Sequence, residues 1–395
     1  MKVRYRFRCY PTDEQAQHLA RVFGSCRYVW NWALRLRTDA YFNDGVSVGY
    51  HATSARLTAL KREPATAWLN EVSCVPTQQA LRHLQAAFVN FFDKRAAYPT
   101  FKRKDGKQSA EYTRSAFKWD AERHALSISG LGDVKVRWSR TFASAPTTVT
   151  VTKDAIGRYF VTLVLDETVT PLPATGAAVG IDLGITRLAT LSTGETIDNP
   201  RPLLRLTIQL ARAQRMLARK VKGSGRRADA TLHVAKIHAR VADARADWLN
   251  KVTTDIVRRF DVICIEDLNV RGMGKNHTLA RSLNDAALGM FRRMIEYKAA
   301  WYGREVRVVD RFYPSSKRCS TCGHVLDKLP LSVRTWTCPE CGTVHDRDGN
   351  AAVNILAAGL AATARGGRVS LRPGRPGRSI SRRSVNHPVE SSLHV

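Results

Sequence analysis

Four cysteines in the segment that begins Cys319-Ser320-Thr321-Cys322-Gly323 and ends Cys338-Pro339-Glu340-Cys341-Gly342 are spaced C-x2-C-x15-C-x2-C. The spacing suits a four-thiolate zinc site, in which each Cys-x-x-Cys turn presents two sulfurs to one tetrahedral ion. Four thiolates leave no open position for a substrate, so the expected Zn2+ is structural: it holds a loop and takes no part in bond cleavage.

Bond-breaking chemistry points instead to three acids. Asp182 closes the apolar run Val179-Gly180-Ile181, with Gly184 permitting a sharp turn after it, and Glu266 closes Val262-Ile263-Cys264-Ile265. Asp348, in His345-Asp346-Arg347-Asp348-Gly349-Asn350, stands at the start of a helical pattern. The three are remote in sequence, but strand ends of one sheet and an adjacent helix start bring such residues into one cleft. Three carboxylates in one cleft repel unless cations neutralise them, which implies Mg2+ or Mn2+. Two such ions roughly 3.5–4 Å apart activate a water and stabilise a leaving 3′ oxygen, the chemistry of a phosphodiester nuclease. Asp267 and Asp346 are neighbouring alternatives. Glu266 is preferred because it directly ends its apolar run, and Asp348 because it precedes the Asn350-Ala351-Ala352 helix start by two residues.

These acids stand in a basic chain. Its 395 residues carry 63 Lys and Arg against 34 Asp and Glu, a net charge of +29 and a pI near 10.3, which implies a polyanionic partner. The sequence has no apolar run of about 18–20 residues that would span a membrane, so nucleic acid is the expected partner. No apolar signal-peptide stretch opens the chain, so a cytoplasmic location is expected. Cys9, Cys26, Cys74 and Cys264 are scattered and read as reduced core residues.

The period-two pattern of residues 3–9 predicts a strand with one buried face and one cationic face, Arg4, Arg6 and Arg8, suited to lie along a phosphate backbone. Helical patterns follow over 11–23, again after Gly24, and from Pro76 to Phe92. Strands are expected at 125–129, 134–138, 146–153 and 158–165, forming a β-barrel-like unit completed by the first strand. The link Thr170-Pro171-Leu172-Pro173 reads as a boundary. Beyond it come strands at 178–183 and 187–193 and helices at 203–222 and 229–259. Two further strands at 262–265 and 306–309 and a helix from 350 to about 362 complete the pattern. The tail from Arg365 to Arg383 has seven Arg and no acid and reads as disordered and cationic.

Several basic segments fit phosphate contact: Lys102, Arg103, Lys104 and Lys107 around Phe101, and the helical pair with Arg212, Arg215, Arg219, Lys220, Lys222, Arg226 and Arg227. Gln78 and Gln79 near a helix start have the bidentate amide chemistry that reads adenine edges.

The motifs GIDLGITRLATLS, IEDLNVRGM, YPSSKRCSTCG, WTCPECG and DRDGNAAVNIL, in this order, resemble the TnpB (OrfB) proteins encoded by bacterial insertion sequences, relatives of type V CRISPR effectors. The N-terminal half is similar too, so the resemblance covers residues 1 to about 362. It implies an RNA-guided DNA endonuclease of multidomain α+β fold. A wedge β-barrel domain is expected at 1–10 and 96–172, and a helical recognition domain at 11–95. A RuvC-like, ribonuclease H type nuclease domain is expected at 173–314 and 345–364, interrupted by a zinc-ribbon insertion at 315–344. The remainder, 365–395, is the basic tail. Asp182, Glu266 and Asp348 would then be the RuvC acids and the four cysteines the ribbon ligands. The partners would be a guide RNA derived from the transposon end and a double-stranded DNA target read by base pairing beside a short adjacent motif. Three rival readings remain: a guided repressor that binds without cutting; a transposase in the strict sense, which joins strands as well as cutting them but for which no tyrosine–His pair is evident; and, more distantly, an actin-like ATPase, which shares the Asp-Leu-Gly turn but requires a second phosphate loop that IEDLNVRG does not supply.

Overall fold

The computed structural model describes residues 1–364, so the expected cationic tail lies outside the described residues.

The first strand, Lys2–Cys9, buries Val3, Phe7 and Cys9 and turns its arginines outward, as its alternation predicts. It pairs antiparallel along its whole length with Tyr159–Asp166. The five-stranded antiparallel sheet runs in the order Gln108–Thr113, Thr148–Lys153, Tyr159–Asp166, Lys2–Cys9, Val136–Arg137. A three-stranded sheet, Phe117–Asp120, Ala125–Ile128 and Gly132–Asp133, shares its core through Phe117, Leu126 and Ile128. The hairpin at Asp154–Gly157 is closed by the Asp154 carboxylate, which accepts from the backbone N–H of Ile156 and Arg158 at 3.1 and 2.8 Å.

Residues 13–92 form a helical unit of Asp13–Asp44, Tyr50–Leu60, the 3-10 helix Pro64–Glu71 and Cys74–Phe92. Gly24 does not break the first helix, which runs unbroken over Asp13–Asp44. Apolar residues at helical spacing on both sides of it, Leu19, Val22, Phe23, Cys26, Val29, Trp30, Ala33 and Leu34, are buried, and that burial outweighs a propensity loss of about 1 kcal/mol. The helix Cys74–Phe92 packs against it through Leu81, Leu84 and Phe88. Cys9, Cys26 and Cys264 are core residues as expected, whereas Cys74 is exposed at the start of its helix.

The second large sheet is mixed. Its order is Thr196–Asp198, Arg187–Leu191, Ala178–Leu183, Val262–Glu266, Glu305–Val309; the first three strands are antiparallel and the last three parallel. One face buries Val179, Ile181, Ile263 and Ile265 under the helices Gly225–Arg259 and Leu288–Tyr302. The other face is covered by the last helix, Arg347–Ala364, which packs on the strands Ala178–Leu183 and Val262–Glu266. The expected helix at 203–222 divides at Leu206 into Pro202–Arg205 and Thr207–Ala218. The Pro-rich link docks onto this unit: the Arg304 guanidinium donates to Pro173 O and pairs with Asp261 at 2.6 Å.

Candidate active site and thiolate knuckle

Strand alternation decides what faces the last helix. Residues of one strand two apart share a face, so Gly180 and Asp182 point together, and so do Cys264 and Glu266. Both glycine-sized approaches lie on this face. A Cβ at Gly180 would stand 2.1 Å from Ala352 O, and one at Gly359 would stand 2.3 Å from Cys264 Sγ. The helix therefore lies almost on the sheet, with Asp348 in its first turn. The two strands are parallel neighbours with Ile265 opposite Ile181, which puts Glu266 and Asp182 side by side at their carboxyl ends.

The electrostatics record the gathering. Burial, then the charges of Asp348 and Glu266, push the Asp182 carboxyl up to about 7, against the opposing pull of Arg347 and Arg334. Burial and then the Asp267 charge raise Glu266 as well. Such a donor set suits a hard divalent cation, whose charge relieves the repulsion. The carboxylates nonetheless stand further apart than the thiolates: among the described residues only the four cysteines bring three or more ligand atoms of Cys, His, Asp or Glu within 4.8 Å of one another. Asp348 Oδ1 leans toward Arg334, 3.4 Å away.

The two alternative acids are engaged otherwise. Asp267 pairs with Arg292 at 2.7 Å and with Arg311, and bonds from these two guanidiniums hold its carboxyl below the usual range. Asp346 caps the last helix, its Oδ1 accepting from the N–H of Gly349 at 2.8 Å.

The cysteines form a compact knuckle. Sulfur pairs Cys319–Cys341 and Cys322–Cys338 are 3.7 and 3.6 Å apart. Each turn is closed by its glycine in the left-handed region, Gly323 at φ 84° and Gly342 at φ 71°, with the glycine N–H donating to Cys319 O or Cys338 O. Burial would raise the Cys319 thiol, but N–H groups of Cys322 and Thr321 and the His345 ring outweigh it and bring it down to about 5. The geometry is that of a structural zinc site.

Residues outside the sequence reading complete both sites. His345 is buried, with Nε2 3.1 Å from Cys319 Sγ and its ring against Trp336. Asn350 and Asn354 are buried beneath the knuckle. Arg334 and Arg347 stand beside the acids, and only their positions next to the motif carry any sequence signal.

The proposed nucleic-acid contacts divide. Arg4 and Arg6 are exposed and Arg8 is half-buried, the Arg6 guanidinium lying 3.7 Å above the Phe160 ring. Arg103, Lys104, Arg215 and Arg219 are exposed. Lys102 is half-buried over Trp30, its backbone held by the Asn31 amide. The Gln78 carbonyl oxygen accepts from Ser54 Oγ at 3.1 Å, a tie between two helices, and Gln79 is half-buried beside it.

Fold and site together define a multidomain α+β protein in which a four-thiolate knuckle immediately precedes the last acid of a carboxylate cluster on a mixed sheet. Family models described as "Helix-turn-helix domain", "Probable transposase" (OrfB of IS605) and "Cas12f1-like, TNB domain" match residues 1–45, 149–277 and 289–355. The first match spans one strand and a single helix here, not two helices. A Streptomyces pristinaespiralis protein named "Putative RNA-guided DNA endonuclease" is 53% identical over 98% of this chain and 96% of its own length. Escherichia coli K12 has a relative of similar name, InsQ, 33% identical over 94% of this chain and 95% of its own. Among solved structures, a Cas12f1 protein in an sgRNA–target DNA complex shares the fold with a TM-score of 0.55 at 14% identity, over 87% of this chain and 83% of that one. The chain belongs to the TnpB/OrfB family of IS605-type elements.

Proposed function

We propose that this protein is an RNA-guided DNA endonuclease whose nuclease unit is the mixed sheet and its helices, a ribonuclease H type domain of RuvC kind. The observation that carries the reading is the placement of Asp182 and Glu266 at the carboxyl ends of two adjacent inner strands with Asp348 in the first turn of the helix packed on them, where the charges of Asp348 and Glu266 help to raise the Asp182 carboxyl. Relatives over nearly the full length bear the same functional name.

Two divalent cations, Mg2+ or Mn2+, bound by these carboxylates would supply an activated water and charge neutralisation at the leaving oxygen. The chain's own part is positional. The two strand ends fix Asp182 and Glu266, the first turn of the last helix fixes Asp348, and the knuckle holds that helix start. Arg334 and Arg347 offset local negative charge when nucleic acid is absent. The guide RNA, from the transposon end, and the double-stranded target lie along the cationic surface, with Arg4, Arg6, Arg8, Arg103, Lys104, Arg215 and Arg219 contributing phosphate contacts. In this reading the first β unit is the wedge, residues 11–95 the recognition domain and 315–344 the ribbon. No helix of the described residues is long and apolar enough to cross a membrane.

The test is cleavage of guide-matched DNA by the protein purified with its RNA in Mg2+. Guided binding without cutting would instead support the repressor reading.

A further inference from the structure

The knuckle and the last helix are tied by two side chains that the proposed chemistry does not use. Asn350 and Asn354 are one turn apart on one helix face and are 4% and 3% exposed. Asn354 Nδ2 donates to Arg318 O at 2.6 Å and Ser315 O at 2.8 Å. Asn350 Nδ2 donates to Arg318 O at 2.8 Å, and its Oδ1 accepts from Ser320 N–H at 2.9 Å. Every one of these partners is backbone of residues 315–320, the segment that leads into the Cys319 turn and opens it. The amides therefore hold the backbone path into the turn, not its side chains.

A buried primary amide without partners is costly, so the start of the helix and the closed knuckle stabilise each other. On its other side the same insertion pairs directly with the helix entrance: Arg347 N–H donates to Arg334 O at 2.8 Å, and Thr335 pairs with Asp346. Asp348 lies between the two sets of contacts.

We propose that Asn350 and Asn354 are positioning residues that make the placement of Asp348 depend on closure of the thiolate knuckle, so that zinc at the knuckle governs divalent-cation binding at the carboxylates. The metal clip beside the acids acts as a clamp on the third acid. This rests on the endonuclease reading for its functional meaning, but its physical content does not.

The experiment is hydrogen exchange of the backbone amides in residues 347–352, with Mn2+ affinity measured in parallel, on the full chain before and after zinc is stripped with a chelator. The same measurements are made on Asn354→Leu and on Asn350→Asp, which keeps the acceptor for Ser320 and loses the donor. Stripping zinc from the unmodified chain is expected to speed exchange in this segment at least tenfold and to weaken Mn2+ binding by a similar factor. The variants are expected to show both effects while still holding one zinc, with guide-RNA binding within twofold of the unmodified chain. Exchange and Mn2+ affinity unchanged by zinc removal would overturn the proposal, as would variants that behave like the unmodified chain. Absence of guided cleavage by the unmodified chain would refute the endonuclease reading and leave the exchange result to stand on its own.

Discussion

Two carboxylates that are neighbours in sequence have opposite prospects here. Glu266 is raised by burial and by the charge of Asp267, while Asp267 is itself paired with Arg292 and Arg311. Glu266→Gln should abolish cutting, a loss of at least a thousandfold in a single-turnover assay, with RNA binding retained. Asp267→Asn removes two partly exposed ion pairs, each worth about 1 kcal/mol or less; it should lower the unfolding midpoint slightly and leave detectable cleavage. Gly180 is the less obvious position. A methyl there has no room beneath Ala352 O, so Gly180→Ala must lift the helix that carries Asp348, at a cost of about 1–3 kcal/mol. Its expected signature is a clear fall in thermal stability together with loss of cleavage. The three candidate acids could be singled out in sequence because each ends an apolar run or begins a helix. The sequence already favoured Asp348 over Asp346, and the structure adds that Asp346 is engaged as the helix cap.

At the scale of elements, sequence periodicity located most strands and helices, and the departures have physical causes. The helix Asp13–Asp44 passes through Gly24 because buried residues on both sides hold it. A Cβ at Gly24 would meet nothing nearer than the Arg27 guanidinium at 4.0 Å. Gly24→Ala should therefore stabilise the protein by about 0.5–1 kcal/mol, read as a raised unfolding midpoint with cleavage unaffected. The strands Gln108–Thr113 and Phe117–Asp120 were not legible, since each alternates over only a few residues amid charged loops. The helices His277–Ala286 and Leu288–Tyr302 were missed as well. Asp285, buried between them and the helix Pro202–Arg205, accepts from Leu203 and Leu204 N–H, a long-range cap with no local pattern. The knuckle was legible from spacing alone, because ligand geometry is local. Cys338→Ser should reduce bound zinc well below one per chain by elemental analysis.

Across the whole molecule, charge and topology act together. A net charge of +29 implies that nucleic-acid affinity falls steeply with salt, and the dependence reports how many phosphates are neutralised. Removing exposed Arg103 and Lys104 together, as alanines, should weaken binding across sequences and reduce the slope of log affinity against log salt by about 2. The sequence could not give the sheet order. The parallel pairing of Ala178–Leu183 with Val262–Glu266, across a long helical excursion, is what sets Asp182 beside Glu266. The close approach of the last helix at Gly180 then brings in Asp348. The claim that these three acids act as one metal-binding centre is tested most directly by cleavage of guide-matched supercoiled DNA in Mg2+. Asp182→Asn, Glu266→Gln and Asp348→Asn would each be compared with the unmodified chain under conditions where all four bind the target. The account predicts that the unmodified chain cuts and that all three variants are equally inactive; a variant that cuts at the unmodified rate, or an unmodified chain that binds its target and leaves it intact, would contradict it.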